Sequence, residues 1–415
     1  MLEVDCEPES PYTFVMAASL TVLWPEYPAP DMMETRFSYD FCRKMSRRFC
    51  KTACPPCTWI DYSPEGTIQD VLTRITGDII LLLTNPETVI SPSAIHAFAR
   101  CLDKGYKVCG PVYQQTEFSR QAVALDTPYV DMDTFLEMAG VLAEQNHAQC
   151  VPADRLDPSC IACRVADLKR LSESTPVIKI PISLSQLMPK RMAVVPGALV
   201  HRGFSNDFQR EDLIRLVPEG VKRVLDMGCA MGGYGKALKA ARPEIHLTGV
   251  ELNPALAETA EPYYDAIIAR PVEEAELQGP FDLINCGDIL EHLEDPWAML
   301  RRINGLLREE GYLALSIPNA GHWSVVRALL NGTFQYVPAG LLAIDHLRWF
   351  TQSTVRTALT EAGFSIETFL REQPTPTPAG KDFIKGMQAA GYGDEASLTT
   401  FKFLIRAVST HKWLT

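Results

Sequence analysis

RVLDMGCAMGGYG, residues 223–235, decides the fold of the second half of this chain of 415 residues. A strand-like run ends in a turn with glycines at positions 228, 232, 233 and 235, and a helical run follows. Glycine lets the backbone bend sharply and approach a ligand closely, and the start of a helix offers unpaired N–H groups. The pattern therefore predicts a nucleotide-type pocket, to which Asp226 adds a hydrogen-bond acceptor.

A dinucleotide-binding fingerprint fits this stretch less well. It would need glycine at position 230, where Ala230 stands, and would not normally carry an aspartate two residues before the first glycine. The stretch instead resembles motif I of class I S-adenosylmethionine (SAM) methyltransferases, in the form VLDxGCxxGxxG. The resemblance implies that Asp226, Gly228 and Gly232 surround the methionine part of SAM, with Cys229 in the same site. The alternative is a tight turn that binds nothing.

Strands and helices alternate after the glycine turn. Residues 246–252, HLTGVEL, predict a second strand that ends in Glu251, where nucleotide-binding folds place an acidic residue on the ribose hydroxyls. Three more apolar runs follow, at residues 265–270, 281–288 and 311–319. This alternation predicts a parallel sheet covered by helices on both faces.

The tail of the chain completes this architecture. Asp295 and Thr351 each precede an amphipathic run and are predicted to be helix N-caps, and two apolar runs near the C-terminus supply the last strands. The resemblance to a class I methyltransferase, specific at motif I and at DILEHLEDP, covers roughly residues 210–415. It implies a Rossmann-like seven-stranded domain. Three residues are expected to line the floor between cofactor and acceptor: Cys286, Gly287 and Asp288.

The sequence departs from the family pattern in two places. Ala230 replaces a common glycine, and ARPVEE at residues 269–274 lacks the aspartate that often contacts the adenine. Ala230 keeps open the alternative of a non-catalytic, SAM-binding scaffold protein.

The first half of the chain predicts a second α/β domain. Apolar strands are expected at residues 19–24, 58–63, 79–85 and 106–112, with helices between them. TGDIILLLTNPETVISPSAI and DPSCIACRVADLKRL resemble the GT-A core of family 2 glycosyltransferases. Those enzymes hold a divalent ion with Asp-x-Asp after the third strand, but the slot here holds Asn-Pro-Glu at residues 85–87. The resemblance thus implies a degenerate GT-A-like domain without transferase activity, which positions a glycan, a nucleotide sugar or a partner.

An Asp-x-Asp does occur at residues 131–133, ahead of a helical run. Carboxylates at that place cap helix N–H groups and favour the positive end of the helix dipole, so capping is the predicted role.

These patterns divide the chain into a degenerate glycosyltransferase-like domain at residues 1–185, a linker or entry segment at 186–212 and a methyltransferase domain at 213–415. Within the last, residues 321–350 interrupt the regular alternation. We expect this insertion to form a lid or an acceptor wall.

Methyl transfer to a hydroxyl requires an acceptor held near the cofactor and removal of a proton. A histidine suits the second task because it titrates near neutral pH. His346, in AIDHLRWFT, is the first candidate for the base, with Asp345 or His292 orienting it. SIPNAGHW and DHLRWFT resemble a subgroup often found with saccharide-assembly genes, which implies acceptor-binding roles for His322 and Arg348. For each histidine a purely structural role stays open.

The composition agrees with a soluble cytoplasmic enzyme. A net charge of -12 and a pI near 5.2 oppose long contacts with phosphate backbones, which argues against nucleic acid as a partner. No apolar run reaches the roughly 18 residues of a membrane span. A small-molecule or glycan acceptor is therefore the expected partner, and homodimerisation stays open.

Twelve cysteines do not predict a disulfide scaffold. Cys50, Cys54 and Cys57 have the C-x3-C-x2-C spacing of radical SAM clusters, but no eight-strand barrel pattern follows. With Cys160 and Cys163 they would give a zinc site, which needs four converging thiolates. Reduced, mostly buried cysteines are the favoured interpretation, and we predict no metal.

The sequence thus predicts a SAM-dependent methyltransferase, with O-methylation of a saccharide or saccharide-linked acceptor as its reaction. A bifunctional glycosyltransferase-methyltransferase is the first alternative, and the non-catalytic scaffold is the second.

Overall fold

The computed structural model describes residues 19–26, 33–54, 56–114, 116, 118–125, 131–175, 178, 191–203 and 209–410. The chain divides into two compact units, residues 1–203 and 204–415. Within the described ranges, no helix has the length and apolar character that a membrane span requires.

The first unit is built on a mixed sheet. Its strands are β1 (Leu20–Pro25), β2 (Cys57–Tyr62), β3 (Ile79–Leu83), β4 (Thr88–Ile90), β5 (Val108–Val112), β6 (Val151–Ala153), β7 (Cys160–Arg164) and β8 (Met192–Arg202). They follow the order β2-β1-β3-β7-β5-β8-β4, and β6 pairs with β8. β1 is parallel to β2 and β3, whereas β7 lies antiparallel between β3 and β5. Every residue of β3 and β5 is buried, as expected for the centre of a sheet that is covered on both faces.

Helices of the first unit follow amphipathic runs. They are α1 (Met33–Ala53), α2 (Ile68–Leu72), α3 (Pro92–Asp103), α4 (Met132–Gln145) and α5 (Val165–Ser174). Asp131 caps α4 by accepting a hydrogen bond from the Thr134 N–H at 2.8 Å, which is the predicted capping role. The Asn85 side chain accepts from the Glu87 N–H at 2.8 Å, and Glu87 accepts from Ser38 at 2.7 Å. The Asn-Pro-Glu slot thus stabilises its own loop.

The segment predicted as a linker, residues 186–212, contains a strand instead. β8 pairs with β5 in parallel and with β4 and β6 in antiparallel arrangement, so it belongs to the first sheet. Residues 186–190 and 204–208 of that segment lie outside the described residues.

The second unit, described from residue 209 to residue 410, contains a seven-stranded sheet. Its strands are β9 (Arg223–Met227), β10 (His246–Glu251), β11 (Ala266–Ala269), β12 (Phe281–Gly287), β13 (Leu307–Pro318), β14 (Phe364–Glu372) and β15 (Lys402–Ser409). The order is β11-β10-β9-β12-β13-β15-β14. β9 to β13 are parallel, and β15 is antiparallel to both of its neighbours. This is the Rossmann-like order with one reversed strand inserted, so the predicted fold class of this unit is confirmed.

Helices cover both faces of this sheet. They are α6 (Glu211–Ile214), α7 (Gly233–Ala241), α8 (Pro254–Ala260), α9 (Pro296–Leu306), α10 (Trp323–Leu330), α11 (Gln352–Glu361), α12 (Pro378–Ala389) and α13 (Glu395–Thr399). Asp295 and Thr351 cap α9 and α11, as predicted. α12 begins at Pro378, because Thr377 caps it and Pro378 takes its first position.

Two apolar cores flank the sheet. One packs α9 and α11 against Leu225, Ile284 and Leu315, and the other packs α6 and α7 against Val224 and Leu283. Successive residues of a strand thus pack into opposite cores. The polar groups described below lie at the carboxyl ends of the strands.

Candidate functional site

The polar site of the second unit lies where the strand order reverses. β9 is followed in sequence by β10 on one side and, later, by β12 on the other, so the carboxyl ends of β9 and β12 diverge into separate loops. Open α/β sheets bind their ligands in the crevice at such a switch point. The glycine turn and DILEHLEDP both start there.

The glycine turn has the backbone geometry that glycine permits. Gly228 and Gly232 adopt φ values of +75° and +89°, in the left-handed region. A Cβ on Gly228 would lie 2.1 Å from Cδ1 of Ile289, so any side chain would also collide there. Ala230 adopts φ +46° in the same turn, where a glycine would be free of strain.

Glu251 connects the end of β10 to this turn. Its carboxylate is buried and accepts hydrogen bonds from the Ala230 and Asn253 N–H groups, both at 2.9 Å. The predicted ribose-binding residue is therefore fixed against the predicted methionine-binding loop.

Asp226 is held by two neutral donors. The Tyr264 hydroxyl donates to its Oδ2 at 2.5 Å, and Nδ2 of Asn285 donates to its Oδ1 at 2.6 Å. Burial raises the pKa of Asp226 to about 6, although both hydrogen bonds and Arg210 act in the opposite direction. The sequence did not identify these partners, because Tyr264 and Asn285 come from other loops and strands.

Of the residues at the end of β12, Cys286 packs in the core and Asp288 makes polar contacts at the site. Cys286 is fully buried in an apolar core, and burial raises the pKa of its thiol well above the ordinary value. Only its backbone can face the cleft. Asp288, with φ +55°, accepts from Ser316 at 2.7 Å and pairs with Arg210 at 3.1 Å. A Cβ on Gly287 would lie 3.0 Å from the same Arg210 guanidinium.

Arg210 belongs to an ion-pair chain that the sequence did not reveal. The guanidinium bridges Asp288 and Asp212, and Lys402 pairs with Asp212 at 3.0 Å and with Glu372 at 3.3 Å. Burial raises the pKa of Asp212, but the neighbouring Arg210 and Lys402 outweigh burial and lower that pKa to about 2. The chain fixes the orientation of Asp288 at the edge of the cleft.

Four of the predicted residues and their neighbours meet beyond β12. His292 Nδ1 lies 3.3 Å from Asp345 Oδ2, and the His292 and His346 rings pack edge to face with centroids 4.9 Å apart. The Glu291 carbonyl accepts from the Leu347 and Arg348 N–H groups at 2.7 and 3.0 Å. The insertion 321–350 is thus pinned onto the loop after β12, and the histidines come together as the sequence predicted they would act together.

The charges of this cluster oppose one another. Burial raises the pKa of Glu291 to about 8. Burial lowers the pKa of His292, but Asp345 and Glu291 outweigh it and raise that pKa to about 9. Burial and the neighbouring His292 lower the pKa of His346. Perturbations of this kind concentrate at functional sites. Sequence reasoning singled out His292 but not Glu291, although both lie in DILEHLEDP.

A row of aromatic rings leads from this cluster to the surface. Trp349 contacts His346 at a centroid distance of 5.8 Å, Phe334 contacts Trp349 at 5.6 Å, and Tyr336 contacts Phe334 at 5.3 Å. Phe334 and Tyr336 are exposed. This aromatic row, Tyr336-Phe334-Trp349, offers an apolar face to an acceptor that approaches His346.

Two predicted acceptor-binding residues have local structural contacts. His322 is buried, caps α10 by accepting from the Ser324 N–H at 3.3 Å, and packs edge to face on Phe401. Burial lowers its pKa to about 3. Arg348 donates to the Leu347 carbonyl at 2.9 Å and to the Glu294 carbonyl. Neither residue is hydrogen-bonded to the His292–Asp345 pair among the described contacts, so the structure gives His322 a capping role.

The described cysteines of the first unit do not form a group of three converging metal ligands. Cys50 and Cys54 are buried and Cys57 is half-buried. Among the described residues, no three of their donor atoms lie mutually within 4.8 Å.

Part of this chain is similar to known methyltransferases. Residues 201–368 match a family model described as a methyltransferase domain. A ubiquinone biosynthesis O-methyltransferase of Xylella fastidiosa (strain 9a5c) is 34% identical over 150 residues, which are 32% of this chain and 60% of that protein. One of Pseudomonas aeruginosa (strain UCBPP-PA14) is 25% identical over 195 residues, 42% of this chain and 82% of that protein. The chain thus spans about 60% of the length of the first of these relatives.

Solved structures of methyltransferases also match. The N-methyltransferase NodS from Bradyrhizobium japonicum WM9, in complex with S-adenosyl-L-homocysteine, is 19% identical, with a TM-score of 0.33, 48% of this chain and 85% of that chain covered.

Proposed function

We propose that this protein, which matches a methyltransferase domain over residues 201–368, transfers the methyl group of SAM to a hydroxyl group of a saccharide or saccharide-linked acceptor. The observation that carries the proposal is the cluster of Glu291, His292, Asp345 and His346. It lies beyond the carboxyl end of β12, the strand next to β9, and the glycine turn follows β9. A methyl donor and a set of acid-base groups are what such a transfer needs.

The residues present fit the cofactor. SAM supplies a methyl group on a sulfonium, which reacts by in-line displacement. Gly228 and Gly232 have left-handed backbone conformations, and an added Cβ at either would force a neighbouring side chain to move. α7 starts directly after this turn, and Glu251 has a fixed carboxylate at the end of the next strand. These features support the assignment of the methionine side to the turn and of the ribose to Glu251.

For the acceptor hydroxyl, His346 is our first candidate to remove the proton. Its Nδ1 is held by the Leu341 carbonyl at 3.1 Å, and none of the described residues forms a hydrogen bond with its Nε2. The Asp345–His292 pair lies against its ring and orients it. The imidazole is thus fixed, with one nitrogen free to face an acceptor.

The acceptor class rests on the aromatic row and on the insertion that carries it. Exposed Phe334 and Tyr336 suit the apolar face of a sugar ring, and they equally suit a phenol. The relatives named ubiquinone biosynthesis O-methyltransferase favour a phenolic acceptor, which is our second candidate. An acidic chain of net charge -12 favours neither nucleic acid nor a strongly anionic polymer.

For the first unit we propose a degenerate GT-A-like domain that binds a glycan or a nucleotide sugar. A mixed sheet in which β4, β6 and β7 run opposite to the other strands supports this. A cavity of about 420 Å³ is lined by two arginines, Arg120 and Arg155, and by the carboxylate of Asp154, so it offers both charged donors and an acceptor to a polar ligand. Calorimetric titration of the full chain with a panel of glycans and nucleotide sugars tests the proposal, and the absence of binding to either class would contradict it.

The experiment that tests methyl transfer is a screen of acceptors. The full chain is incubated with SAM and with saccharides, phenols or amines, and S-adenosyl-L-homocysteine and the methylated product are measured by mass spectrometry. We expect turnover with a hydroxyl acceptor. A chain that binds SAM but turns over no acceptor would favour the scaffold alternative, and an N-methylated product would contradict O-methylation.

The chain offers a matched control for this screen. Gly228 and Gly220 both have left-handed φ values, +75° and +78°, but an added Cβ collides with Ile289 only at Gly228 and meets open space at Gly220. Gly228→Ala should abolish turnover and SAM binding, whereas Gly220→Ala should retain both.

A further inference from the structure

Three metal-binding side chains converge in the second unit. Glu291, His292 and His346 each bring one ligand atom to within 4.8 Å of the other two. No other group of at least three such side chains meets this criterion within the described residues. Glu291 and His292 follow β12, and His346 comes from the insertion 321–350, so the fold brings two remote segments together here.

Both imidazoles are oriented through Nδ1. His292 Nδ1 faces the Asp345 carboxylate at 3.3 Å, and His346 Nδ1 faces the Leu341 carbonyl at 3.1 Å. Because both partners are acceptors, each Nδ1 carries a hydrogen. Nε2 is then the nitrogen that would bind a metal ion, which at His292 would displace the proton held there near neutral pH. Among the described residues, no hydrogen bond is formed with either Nε2. Histidines that bind metal ions are held in this way, with the other ring nitrogen donating to a carboxylate or a backbone carbonyl.

Glu291 is an unpartnered buried carboxylate. Its side chain is 1% exposed, and neither oxygen accepts a hydrogen bond from a described residue. Burying such a group is unfavourable unless a cation compensates it. The hydrogen bonds from Leu347 and Arg348 to its backbone carbonyl nevertheless hold it in place. The Glu291 carboxylate and Nε2 of each histidine therefore lie close together, and none of them has a hydrogen-bond partner among the described residues.

We propose that Glu291, His292 and His346 bind a divalent transition-metal ion, of which Zn²⁺ is the first choice. Two imidazoles and one carboxylate are a ligand set that catalytic zinc sites use, with a remaining position left open. Ligand bonds of roughly 2.0–2.2 Å require only a small inward movement of side chains whose ligand atoms are within 4.8 Å. Sequence spacing does not reveal this site, because Glu291 and His292 are 55 and 54 residues from His346 and none of the three is a cysteine.

The role of this ion rests on the proposed function. Its open position would take the acceptor oxygen and lower the pKa of the hydroxyl, so His292 and His346 would act as ligands and not as bases. The hydroxyl proton would pass to Asp345, whose Oδ1 has no described partner. The acceptor oxygen then forms the new C–O bond with its lone pair, the C–S bond breaks, and its electron pair stays on sulfur, giving the methyl ether and S-adenosyl-L-homocysteine.

Metal binding can be measured without SAM or acceptor. Full chain that has been stripped with a chelator is titrated with Co²⁺, and binding is followed by visible absorption and calorimetry. We expect one ion per chain with nitrogen and oxygen ligands, displaced by Zn²⁺. Glu291→Gln and His346→Ala should each weaken binding by ~10²-fold or more, since loss of even an outer partner costs 10–100-fold. Circular dichroism checks that both variants are folded.

Two exposed residues provide matched controls, because Glu294→Gln and His246→Ala make the same chemical changes away from the cluster and should bind Co²⁺ as the parent does. The absence of binding, a spectrum with thiolate bands, or equal binding in Glu291→Gln would overturn the proposal. So would full turnover by protein shown by elemental analysis to be metal-free, which would return His346 to the role of base. Failure of every acceptor to react would contradict only the proposed methyl transfer.

Discussion

The Glu251 carboxylate accepts a hydrogen bond from the Ala230 N–H at 2.9 Å, joining the acidic end of β10 to the glycine turn after β9. The same carboxylate holds the Asn253 N–H at the start of α8. One side chain therefore fixes both walls of the predicted cofactor site, so its removal should affect cofactor affinity more than the loss of a ribose contact alone.

Glu251→Ala should weaken SAM binding by about 2 kcal/mol or more, the range expected when a charged hydrogen-bond partner is lost. Calorimetric titration with SAM measures this. Glu258→Ala removes an exposed carboxylate from α8 and should leave the affinity unchanged. Unchanged SAM affinity in Glu251→Ala would contradict the ribose assignment.

Asp226 should make folding stability depend on pH. Its pKa is about 6 in the folded protein, above the usual 3.8, so the folded state binds the proton more tightly than the unfolded state. The stabilisation from protonated Asp226 is fully present below about pH 4. As the pH rises through 6 it is lost, and the free energy of unfolding falls by about 3 kcal/mol at most. Urea unfolding between pH 4 and pH 7 measures it. Asp226→Asn should flatten this part of the profile, and an unchanged slope would contradict the assignment.

Ala230→Gly should stabilise the protein. A non-glycine residue in the left-handed region costs roughly 1–2 kcal/mol, and glycine loses about 0.5–1 kcal/mol through chain entropy, so a net gain of about 0.5–1 kcal/mol is expected. Ala298→Gly, on the exposed face of α9, makes the same change in ordinary helical conformation and should instead lose about 1 kcal/mol. Urea unfolding of both variants decides it, and a destabilised Ala230→Gly would show that the turn is not strained.

Local sequence patterns predicted the glycine turn and the helix caps, while the cofactor contacts of these residues stay predictions. These features depend on residues close in sequence, and the structure contains them: the glycine turn, Glu251 at the end of a strand, and the helix caps Asp295 and Thr351. β8 was missed because Pro196 and Gly197 interrupt its apolar run and normally mark loops. The register shift in its pairing with β5 accommodates the irregularity.

The acceptor side was harder to predict, because its contacts join distant segments. Arg210 meets Asp288 across 78 positions, and Glu291 meets His346 across 55, distances over which no helical or strand period operates. The histidines could be singled out by their chemistry. The buried ring packing of His322 could not, since its contact with Phe401 depends on the position of β15.

The aromatic row gives the sharpest test of where the acceptor binds. Tyr336 is 43% exposed and contacts Phe334, which contacts Trp349 beside His346. An exposed ring adds little to folding but offers contact area to an acceptor. Tyr336→Ala should therefore raise the KM for the acceptor several-fold, by roughly 1 kcal/mol of lost contact, and leave the Kd for SAM unchanged.

Tyr392, 65% exposed in the turn after α12, is the matched control for this change. Tyr392→Ala removes the same side chain from the same unit and should alter neither constant. Steady-state kinetics on the acceptor found by the screen, with SAM affinity measured separately, compares the two variants. Equal KM values in both would mean that the acceptor does not approach along the aromatic row, and a loss of SAM affinity in Tyr336→Ala would assign the row to the cofactor.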